Sequence, residues 1–336
     1  MATILVTGAA GFIGYHVSRL LLDEGHAVVG LDAMTDYYDV TLKQARLDRL
    51  SPSEGFTAVI DRVETPGLLM ELFEQHRPDF VIHLAAQAGV RYSIEAPRAY
   101  LESNVTGTFE LLEAARAHPP RHMLLASTSS VYGSNTEMPY RETMRADHQM
   151  SFYAATKKAT ESMAHSYAHL FGLPVTMFRF FTVYGPWGRP DMALFKFTRA
   201  ILEDVPIDVY NHGDMKRDFT YIDDLVGAMR RLMDAVPERP AAGQAPEGDS
   251  LSPVAPFRVV NIGNSAPVAL TEFIAAIEAA TGRTAQRNML PMQPGDVPAT
   301  WADTTLLETL TGDGTHTPVA EGVARFVEWY RGYNRF

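Results

Sequence analysis

The sequence contains no cysteine among its 336 residues. It therefore has no disulfide, thiolate zinc site or cysteine nucleophile, and this composition fits a reducing, cytoplasmic location. Lys and Arg number 29 against 40 Asp and Glu, for a formal net charge of -11. Without a concentrated basic patch, we expect neither nucleic acid nor a membrane surface as a partner. No apolar run approaches the length of a membrane span, and we expect no signal peptide.

Apolar residues make up 46% of the chain, which is enough to bury a sizeable core. Apolar runs without strict alternation are separated by amphipathic segments of helical length, and this pattern is typical of a parallel sheet covered on both faces. We therefore predict an α/β fold with a Rossmann-type, doubly wound parallel sheet. The predicted strands are 3–7, 27–32, 56–61, 80–86, 122–128 and 175–181.

The last third of the chain has a more mixed pattern, with one further strand predicted at 257–263. We predict a first domain at 1–180 and a smaller, mixed α/β substrate domain at 181–336. Two segments, 210–225 and 257–263, are candidates for returning to the main sheet. The stretch 237–256 is rich in Pro, Ala, Gly and Ser and predicts an irregular surface excursion. The predicted helices of this part are 190–204, 222–236, 271–281 and 318–332.

Three glycines follow the first predicted strand and open a helix. Gly8 permits a tight turn, Gly11 lets backbone approach a pyrophosphate, and Gly14 allows close packing of helix on strand. Asp32 ends the second strand, where a carboxylate can bind the adenosine ribose and repel a 2′-phosphate. The pattern predicts NAD as the cofactor. Asp61 ends the third strand and is interpreted either as an adenine ligand or as a solvated turn residue.

Tyr153 and Lys157 stand four residues apart in a segment with helical spacing and no proline, so their side chains share one helix face. A free tyrosine, with a pKa near ~10, is a poor base at neutral pH, but an adjacent ammonium and a nicotinamide cation favour the phenolate. Lys157 can also hold the nicotinamide ribose. The fifth strand ends in the polar cluster 127–130, where parallel sheets place their ligands. The pattern indicates hydride transfer coupled to proton transfer.

These motifs resemble the extended short-chain dehydrogenase/reductase family of nucleotide-sugar epimerases and dehydratases. The resemblance rests on segments 8–14, 83–86, 127–133, 153–157 and 217–224. Within the family, three further segments are similar to the UDP-glucuronate 4-epimerases. These are 85–93, 151–159 and especially 179–195.

The resemblance implies an isomerase of nucleotide-sugar metabolism with tightly bound NAD. Tyr153 would take the proton of the sugar 4-hydroxyl while Thr128 hydrogen-bonds it and carbon 4 gives up a hydride. The 4-keto sugar would turn over and take the hydride back, which converts UDP-glucuronate to UDP-galacturonate. A homodimer through helices near 100–116 and 153–171 is implied as well. Beyond the residues above, the implied cofactor ligands are Phe12, Ile13, Lys43, Leu84, Ala85, Ala86 and Phe180.

The resemblance also implies a set of substrate contacts. Ser129, Ser130 and Thr182 would receive the sugar carboxylate. Tyr210 would stack on uracil, and Arg189 and Arg217 would offset the diphosphate. Gln87 and Arg91 would line the pocket near the sugar or merely cap their loop, and Gln293 and Asp296 would touch UDP. The set is Gln87, Arg91, Ser129, Ser130, Thr182, Arg189, Tyr210, Arg217, Gln293 and Asp296.

The residue types at a few single positions distinguish the other functions that this scaffold supports. A 4,6-dehydratase usually has Asp-Glu where Ser129 and Ser130 stand, and a UDP-glucuronate decarboxylase usually has Glu at the second position. Many neutral-sugar epimerases carry Asn in place of Thr182, so this position bears on the choice of substrate. The nearest alternative is a UDP-glucose/UDP-galactose 4-epimerase. A non-catalytic, NAD-binding regulatory protein normally lacks the tyrosine or the lysine, and both are present. The 11 histidines show no paired spacing with carboxylates, so we expect no metal site.

Overall fold

The computed structural model describes residues 1–241, 243–293, 297–312 and 314–336. Its central feature is a seven-stranded sheet in which every strand pairing is parallel. The spatial order is β10-β6-β5-β4-β1-β2-β3. This doubly wound sheet confirms the predicted fold class. Its strands are β1 (Thr3–Thr7), β2 (Ala27–Asp32), β3 (Phe56–Ile60), β4 (Phe80–His83), β5 (His122–Thr128), β6 (Val175–Phe180) and β10 (Phe257–Ile262).

Helices cover both faces of the sheet. Successive residues of β1 illustrate why: Ile4 and Val6 enter one apolar cluster and Leu5 enters the other. The helices are α1 (Phe12–Asp23), α2 (Val40–Leu50), α3 (Leu68–His76), α4 (Tyr92–Glu95), α5 (Pro97–Tyr100), α6 (Gly107–Ala117), α7 (Phe152–Phe171), α8 (Ala193–Leu202), α9 (Ile222–Asp234), α10 (Leu270–Thr281), α11 (Thr305–Thr311) and α12 (Val319–Asn334). None of the described helices is both long and apolar enough to cross a membrane.

The later strands differ in part from the expectation. Phe257–Ile262 returns to the main sheet beside β6, but the expectation that 210–225 also returns is wrong. The strand in that segment, β9, instead pairs with β7, β11 and β13 in a separate four-stranded sheet, while β8 and β12 pair with each other. Strands of two to six residues in a mixed region carry too little periodicity to be recognised. They are β7 (Thr182–Tyr184), β8 (Ile207–Val209), β9 (Lys216–Tyr221), β11 (Pro267–Ala269), β12 (Arg287–Met289) and β13 (Ala299–Thr300).

One apolar cluster joins the two parts of the chain. It contains Val17 of α1 together with Leu225 and Met229 of α9 and Phe326 of α12. The region after residue 180 therefore packs directly on the main sheet and its helices. The domain division at 180/181 stays a prediction.

Helix α7 carries the predicted catalytic pair and has defined ends. The Ser151 hydroxyl accepts a hydrogen bond from the Ala154 amide at 3.1 Å, which caps the N-terminus, and Gly172 ends the helix with a φ of 70°. Tyr153 and Lys157 consequently lie in the first two turns of the helix. Because the cap fixes where the helix begins, it also fixes the positions of both side chains relative to the carboxyl ends of the strands.

Candidate active site

A cavity of about 300 Å³ runs along the carboxyl edge of the main sheet. This is where an open, doubly wound sheet binds its ligands. Every residue predicted to bind the cofactor lines this cavity, as do Thr128, Gln87 and Arg189. The cofactor set is Gly8, Gly11, Phe12, Ile13, Gly14, Asp32, Lys43, Asp61, Leu84, Ala85, Ala86, Tyr153, Lys157 and Phe180.

The glycine turn forms one end of this cavity. Gly8 has a φ of 75°, and its amide donates to the Leu31 carbonyl at 2.7 Å. A Cβ atom on Gly14 would lie 2.0 Å from the Gly8 carbonyl oxygen, and one on Gly11 would lie 2.9 Å from it. Only glycine leaves this backbone bare beside the N-terminus of α1, so the turn can hold a dinucleotide pyrophosphate.

Asp32 connects the glycine turn to the loop after β2. One carboxylate oxygen accepts from the Ala10 amide at 3.0 Å and the other from the Met34 amide at 2.8 Å. The side chain also lines the cavity. It therefore has a structural role that the sequence did not indicate, and its contact with the ribose stays a prediction.

The other two charged residues at this end are held by local bonds. Lys43 donates through Nζ to the carbonyl and the hydroxyl of Thr35, at 2.7 and 2.9 Å. Asp61 accepts from the Thr65 hydroxyl at 2.8 Å and the Arg62 amide at 2.7 Å, and these bonds hold its pKa below the usual value. Asp61 thus has the environment of a turn aspartate while still facing the cavity.

Tyr153 and Lys157 lie in the middle of the cavity wall. The Lys157 ammonium donates to the Ala126 carbonyl at 2.9 Å, and burial lowers its pKa to about 8. Burial raises the pKa of Tyr153, while the Thr128 hydroxyl and the positive charge of Arg189 oppose the increase. The expectation that Lys157 lowers the pKa of the phenol beside a nicotinamide cation stays a prediction. Desolvation dominates, and the opposing groups come from β5 and from the segment after β7.

Thr128 is the last residue of β5. Its hydroxyl oxygen accepts from the Ser130 amide at 3.2 Å and caps a 3-10 turn, Ser129–Tyr132. The cap directs the chain away from the sheet immediately after Thr128, which leaves this hydroxyl on the cavity wall beside the Tyr153 phenol. Ser129 and Ser130 follow in the turn, and their contact with a carboxylate stays a prediction.

A buried ion pair supports the end of β5. Glu161 of α7 accepts the Ser127 hydroxyl at 2.7 Å and binds Arg179 of β6 through both carboxylate oxygens, at 2.9 and 2.8 Å. Paired ions that also satisfy a hydroxyl are costly to break, so this network fixes the strand end that carries Thr128. Reasoning from the sequence did not identify Glu161 or Arg179.

The structure places three of the predicted substrate residues as follows. The backbone amide of Gln87 donates to Asn104 Oδ1 at 2.8 Å, and Gln87 also lines the cavity. The Arg91 guanidinium lies 5.3 Å from the centre of the Tyr210 ring, so two residues far apart in sequence meet here.

The remaining predicted substrate residues lie on separate elements. Thr182 begins β7, and Arg217 lies on β9, where it donates to the Pro298 carbonyl at 3.2 Å. Gln293 follows β12. Asp296 lies outside the described residues, so the structure gives no position for it. All of these binding roles remain predictions.

Arg189 reaches the cavity from the segment 185–192. It binds the Asp191 carboxylate at 3.0 and 2.5 Å, and the Tyr37 hydroxyl donates to the same carboxylate at 3.3 Å. Arg189 lines the cavity together with Tyr153 and its charge lowers the pKa of that phenol, while its contact with the diphosphate stays a prediction. Tyr37 and Asp191 were missed from the sequence.

Glu142 is a titratable group that the sequence did not single out. Its carboxylate accepts from the Asn261 amide at 2.8 Å, and burial raises its pKa to about 7 from 4.5. The native state therefore binds more protons than the unfolded state between these pH values. The contribution of Glu142 to the free energy of unfolding is fully present below pH ~4.5 and is lost as the pH rises through 7.

We expect Glu142→Gln to be more stable than wild type above pH ~7 by about 2 kcal/mol, because the amide keeps the hydrogen bond without the buried charge. Denaturant unfolding at several pH values measures the difference, which should vanish near pH ~4. The exposed Glu137→Gln is the control. A stability difference independent of pH would contradict the assignment.

Groups of His, Cys, Asp or Glu arranged to hold a metal ion are absent from the described residues.

Known proteins are similar to this chain in sequence and in fold. A family model of the NAD dependent epimerase/dehydratase family matches residues 4–245. The chain belongs to the NAD-dependent epimerase/dehydratase family. It is 58% identical over 328 residues to a probable UDP-glucuronate 4-epimerase of Rhizobium meliloti (strain 1021), covering 97% of this chain and 96% of the relative. It is 45% identical to UDP-glucuronate 4-epimerase 2 of Arabidopsis thaliana, covering 98% of this chain and 76% of the relative.

A solved structure of similar fold shows ligands in a homologous protein. The UDP-glucuronic acid 4-epimerase of Bacillus cereus, in complex with UDP-glucuronic acid and NAD, superposes with a TM-score of 0.87 at 31% identity. The match covers 98% of this chain and 99% of the other. The chain described here belongs to the same family and is an enzyme that uses NAD.

Proposed function

We propose that the protein converts UDP-glucuronate to UDP-galacturonate by NAD-dependent epimerisation at carbon 4 of the sugar. One observation carries the proposal: the bare glycine turn, Tyr153, Lys157 and Thr128 all line a single cavity at the carboxyl edge of the sheet. Similarity over nearly the full length to relatives named UDP-glucuronate 4-epimerase supports the choice of substrate.

The residues of the site divide the work. Tyr153 removes the proton of the 4-hydroxyl and returns it, Thr128 hydrogen-bonds the reacting oxygen, and Lys157 holds the ribose next to the nicotinamide. Bound NAD supplies the reversible acceptor for the hydride of carbon 4. Arg189 lies close enough to lower the pKa of the Tyr153 phenol, and so it favours the basic form.

The 4-keto form of the sugar is a β-keto acid, which can lose carbon dioxide. Ser129 and Ser130 offer hydroxyl donors to the carboxylate, and Thr182 adds a third. Neutral donors can hold the carboxylate in an orientation that disfavours decarboxylation. The same three residues distinguish UDP-glucuronate from UDP-glucose, which has no carboxylate.

The test is incubation of the NAD-loaded protein with UDP-glucuronate deuterated at carbon 4, without added reductant. We expect UDP-galacturonate that retains the deuterium, because the hydride leaves and returns within one site. UDP-glucose, supplied separately, should be converted far more slowly. UDP-pentose as the main product would identify a decarboxylase, efficient conversion of UDP-glucose a neutral-sugar epimerase, and no turnover at all a regulatory NAD-binding protein.

We also propose a homodimer that works in the cytoplasm. Exposed apolar side chains are concentrated along 101–117 and 152–171, which supports a paired interface. They are Leu101, Phe109, Phe152, Leu170 and Phe171. The cytoplasmic location rests on the absence of cysteine alone.

We expect Phe109→Glu to convert a dimer to a monomer, because a carboxylate would be buried in an apolar contact. Sedimentation velocity measures the mass. Ile60→Glu, an exposed apolar position on β3, is the control and should leave the mass unchanged. A wild-type monomer at assay concentration would rule out the dimer.

A further inference from the structure

Arg46 of α2 is a buried cation without an acid among its hydrogen-bond acceptors. Its side chain is 0% exposed. It donates to the carbonyl of Ala10 at 3.0 Å, the hydroxyl of Tyr38 at 2.7 Å, and the carbonyls of Trp187 and Gly188 at 2.6 and 3.2 Å. Other buried arginines of the chain bind carboxylates, as Arg179 does. A guanidinium buried among neutral acceptors is costly, and a costly group points to a specific task.

The four acceptors of Arg46 belong to three segments that each contribute residues to the lining of the cofactor cavity. Ala10 belongs to the glycine turn, and Tyr38 follows the loop that begins at Asp32. Trp187 and Gly188 directly precede Arg189, which lines the cavity. A single rigid guanidinium therefore ties the glycine turn to the segment that carries Arg189.

His16 of α1 holds the adjoining carbonyl. Its Nε2 lies 2.9 Å from the Pro186 oxygen and must donate, since a carbonyl can only accept. The ring is buried, with 4% of its surface exposed, and burial lowers its pKa to about 3, so it is neutral. Three consecutive carbonyls, those of residues 186–188, are thus bound by side chains from the first two helices.

The backbone of this segment has little freedom to adjust by itself. Trp187 has a φ of 62°, an unusual value for a residue other than glycine, and Gly185 has a φ of 145°. The Trp187 ring packs 5.7 Å from the ring of Tyr15 and 5.2 Å from that of Trp329. The unusual backbone angle at Trp187 persists because its surroundings hold it in place.

We propose that Arg46 is a positioning residue for hydride transfer. By holding Ala10 and the 186–188 backbone in a fixed relation, it sets where Arg189 stands relative to Tyr153 and to a dinucleotide on the glycine turn. His16 assists at the next carbonyl. The turnover part of this inference rests on the proposed function, whereas the cofactor-release part does not.

The test compares Arg46→Lys and Arg46→Gln with wild type, using the full chain loaded with NAD. Lysine keeps the charge, but its ammonium has three donors and cannot make all four hydrogen bonds; glutamine keeps donors without the charge. We expect kcat per NAD-loaded enzyme to fall by about 10- to 100-fold with KM changed less than about threefold, since a displacement of ~1 Å can cost that much. We also expect NAD to dissociate about tenfold faster or more.

Arg49→Lys is the matched control. Arg49 lies on the same helix with its guanidinium 5.3 Å from the centre of the Trp187 ring, and it donates a hydrogen bond to the Tyr15 hydroxyl; lysine keeps the positive charge at this position. It should match wild type in both measurements. Thermal unfolding of each variant separates a general loss of stability from the specific effect, because destabilisation alone lowers the melting temperature and leaves kcat per loaded enzyme unchanged.

The inference is overturned if Arg46→Lys keeps both kcat per loaded enzyme and NAD release within about twofold of the Arg49→Lys control. If neither Arg46 variant folds, His16→Phe decides the question, since it preserves ring packing against Phe12 and Tyr15 and removes one donor. Faster NAD release from His16→Phe supports the inference, and an unchanged rate overturns it. If the wild type releases NAD slowly but is inactive, and the variants release NAD fast, the proposed function is refuted and the positioning role of Arg46 is supported.

Discussion

Tyr153→Phe is expected to lower kcat by about 10³-fold or more while NAD stays bound, because the change removes only the oxygen that carries the proton. The ring keeps its packing at 5.9 Å from the ring of Tyr100, so the shape of the site is retained. Turnover of UDP-glucuronate, together with NAD released on denaturation, measures both effects.

The matched control is Tyr167→Phe on the same helix. The Tyr167 hydroxyl donates to Glu113 at 2.6 Å, away from the cavity, so this change should leave kcat near the wild-type value. Equal activities of the two variants would show that the proton is moved by another group. Activity of Tyr153→Phe that returns at high pH would point the same way, since phenylalanine has no proton to lose.

Gly14→Ala is expected to yield protein that holds almost no NAD. A Cβ atom there meets the Gly8 carbonyl oxygen at 2.0 Å and the Ala9 Cα at 2.9 Å, and both are backbone atoms that cannot rotate away. The glycine turn must open, which removes the cradle for the pyrophosphate and costs about 1–3 kcal/mol of stability by overpacking. NAD content after purification and thermal unfolding measure the two losses.

Gly332→Ala provides the control for this change. Gly332 lies in helix α12, and a Cβ atom there meets nothing within 4 Å. Alanine in an exposed helix should be neutral or slightly stabilising. Normal NAD content in Gly14→Ala would show that the turn tolerates a side chain and would remove the steric basis of the cofactor assignment.

The order of strands and helices in the first part of the chain follows from local pattern. Most strands of the main sheet are buried on both faces, so each of these is a mainly apolar run that the sequence displays directly, as at 122–128; the edge strand β3 is partly exposed. The glycine spacing at 8–14 is equally local, because the turn, the cradle and the helix start are all made by neighbouring residues. The later strands, of two to six residues, needed the tertiary structure, since they exist only by pairing with distant partners such as β9.

The candidate site divides in the same way. Tyr153 and Lys157 share a helix face by spacing alone, so the sequence could pair them. The direction of a pKa shift depends on burial and on groups brought from other elements, and for Tyr153 those are the Thr128 hydroxyl and the positive charge of Arg189. A helical repeat cannot reveal these two groups, because they lie on other elements of the fold.

Arg46 shows what signal was available and what was not. It stands between Leu42 and Leu50 at spacings of four, on the buried stripe of α2, where a charged residue is unusual. The sequence thus marks it as a buried cation but gives no indication of its carbonyl acceptors, of which those of Ala10 and Trp187 lie 36 and 141 residues away along the chain.

By itself, the sequence determined the parallel sheet, the glycine turn and the identity of the tyrosine and lysine, because each depends on residues within a few positions of one another. The tertiary structure alone decided which carbonyls the buried arginine binds, which charges face the phenol and where the short strands pair. These features depend on distances between segments remote in sequence, and such distances are set by packing of the whole chain.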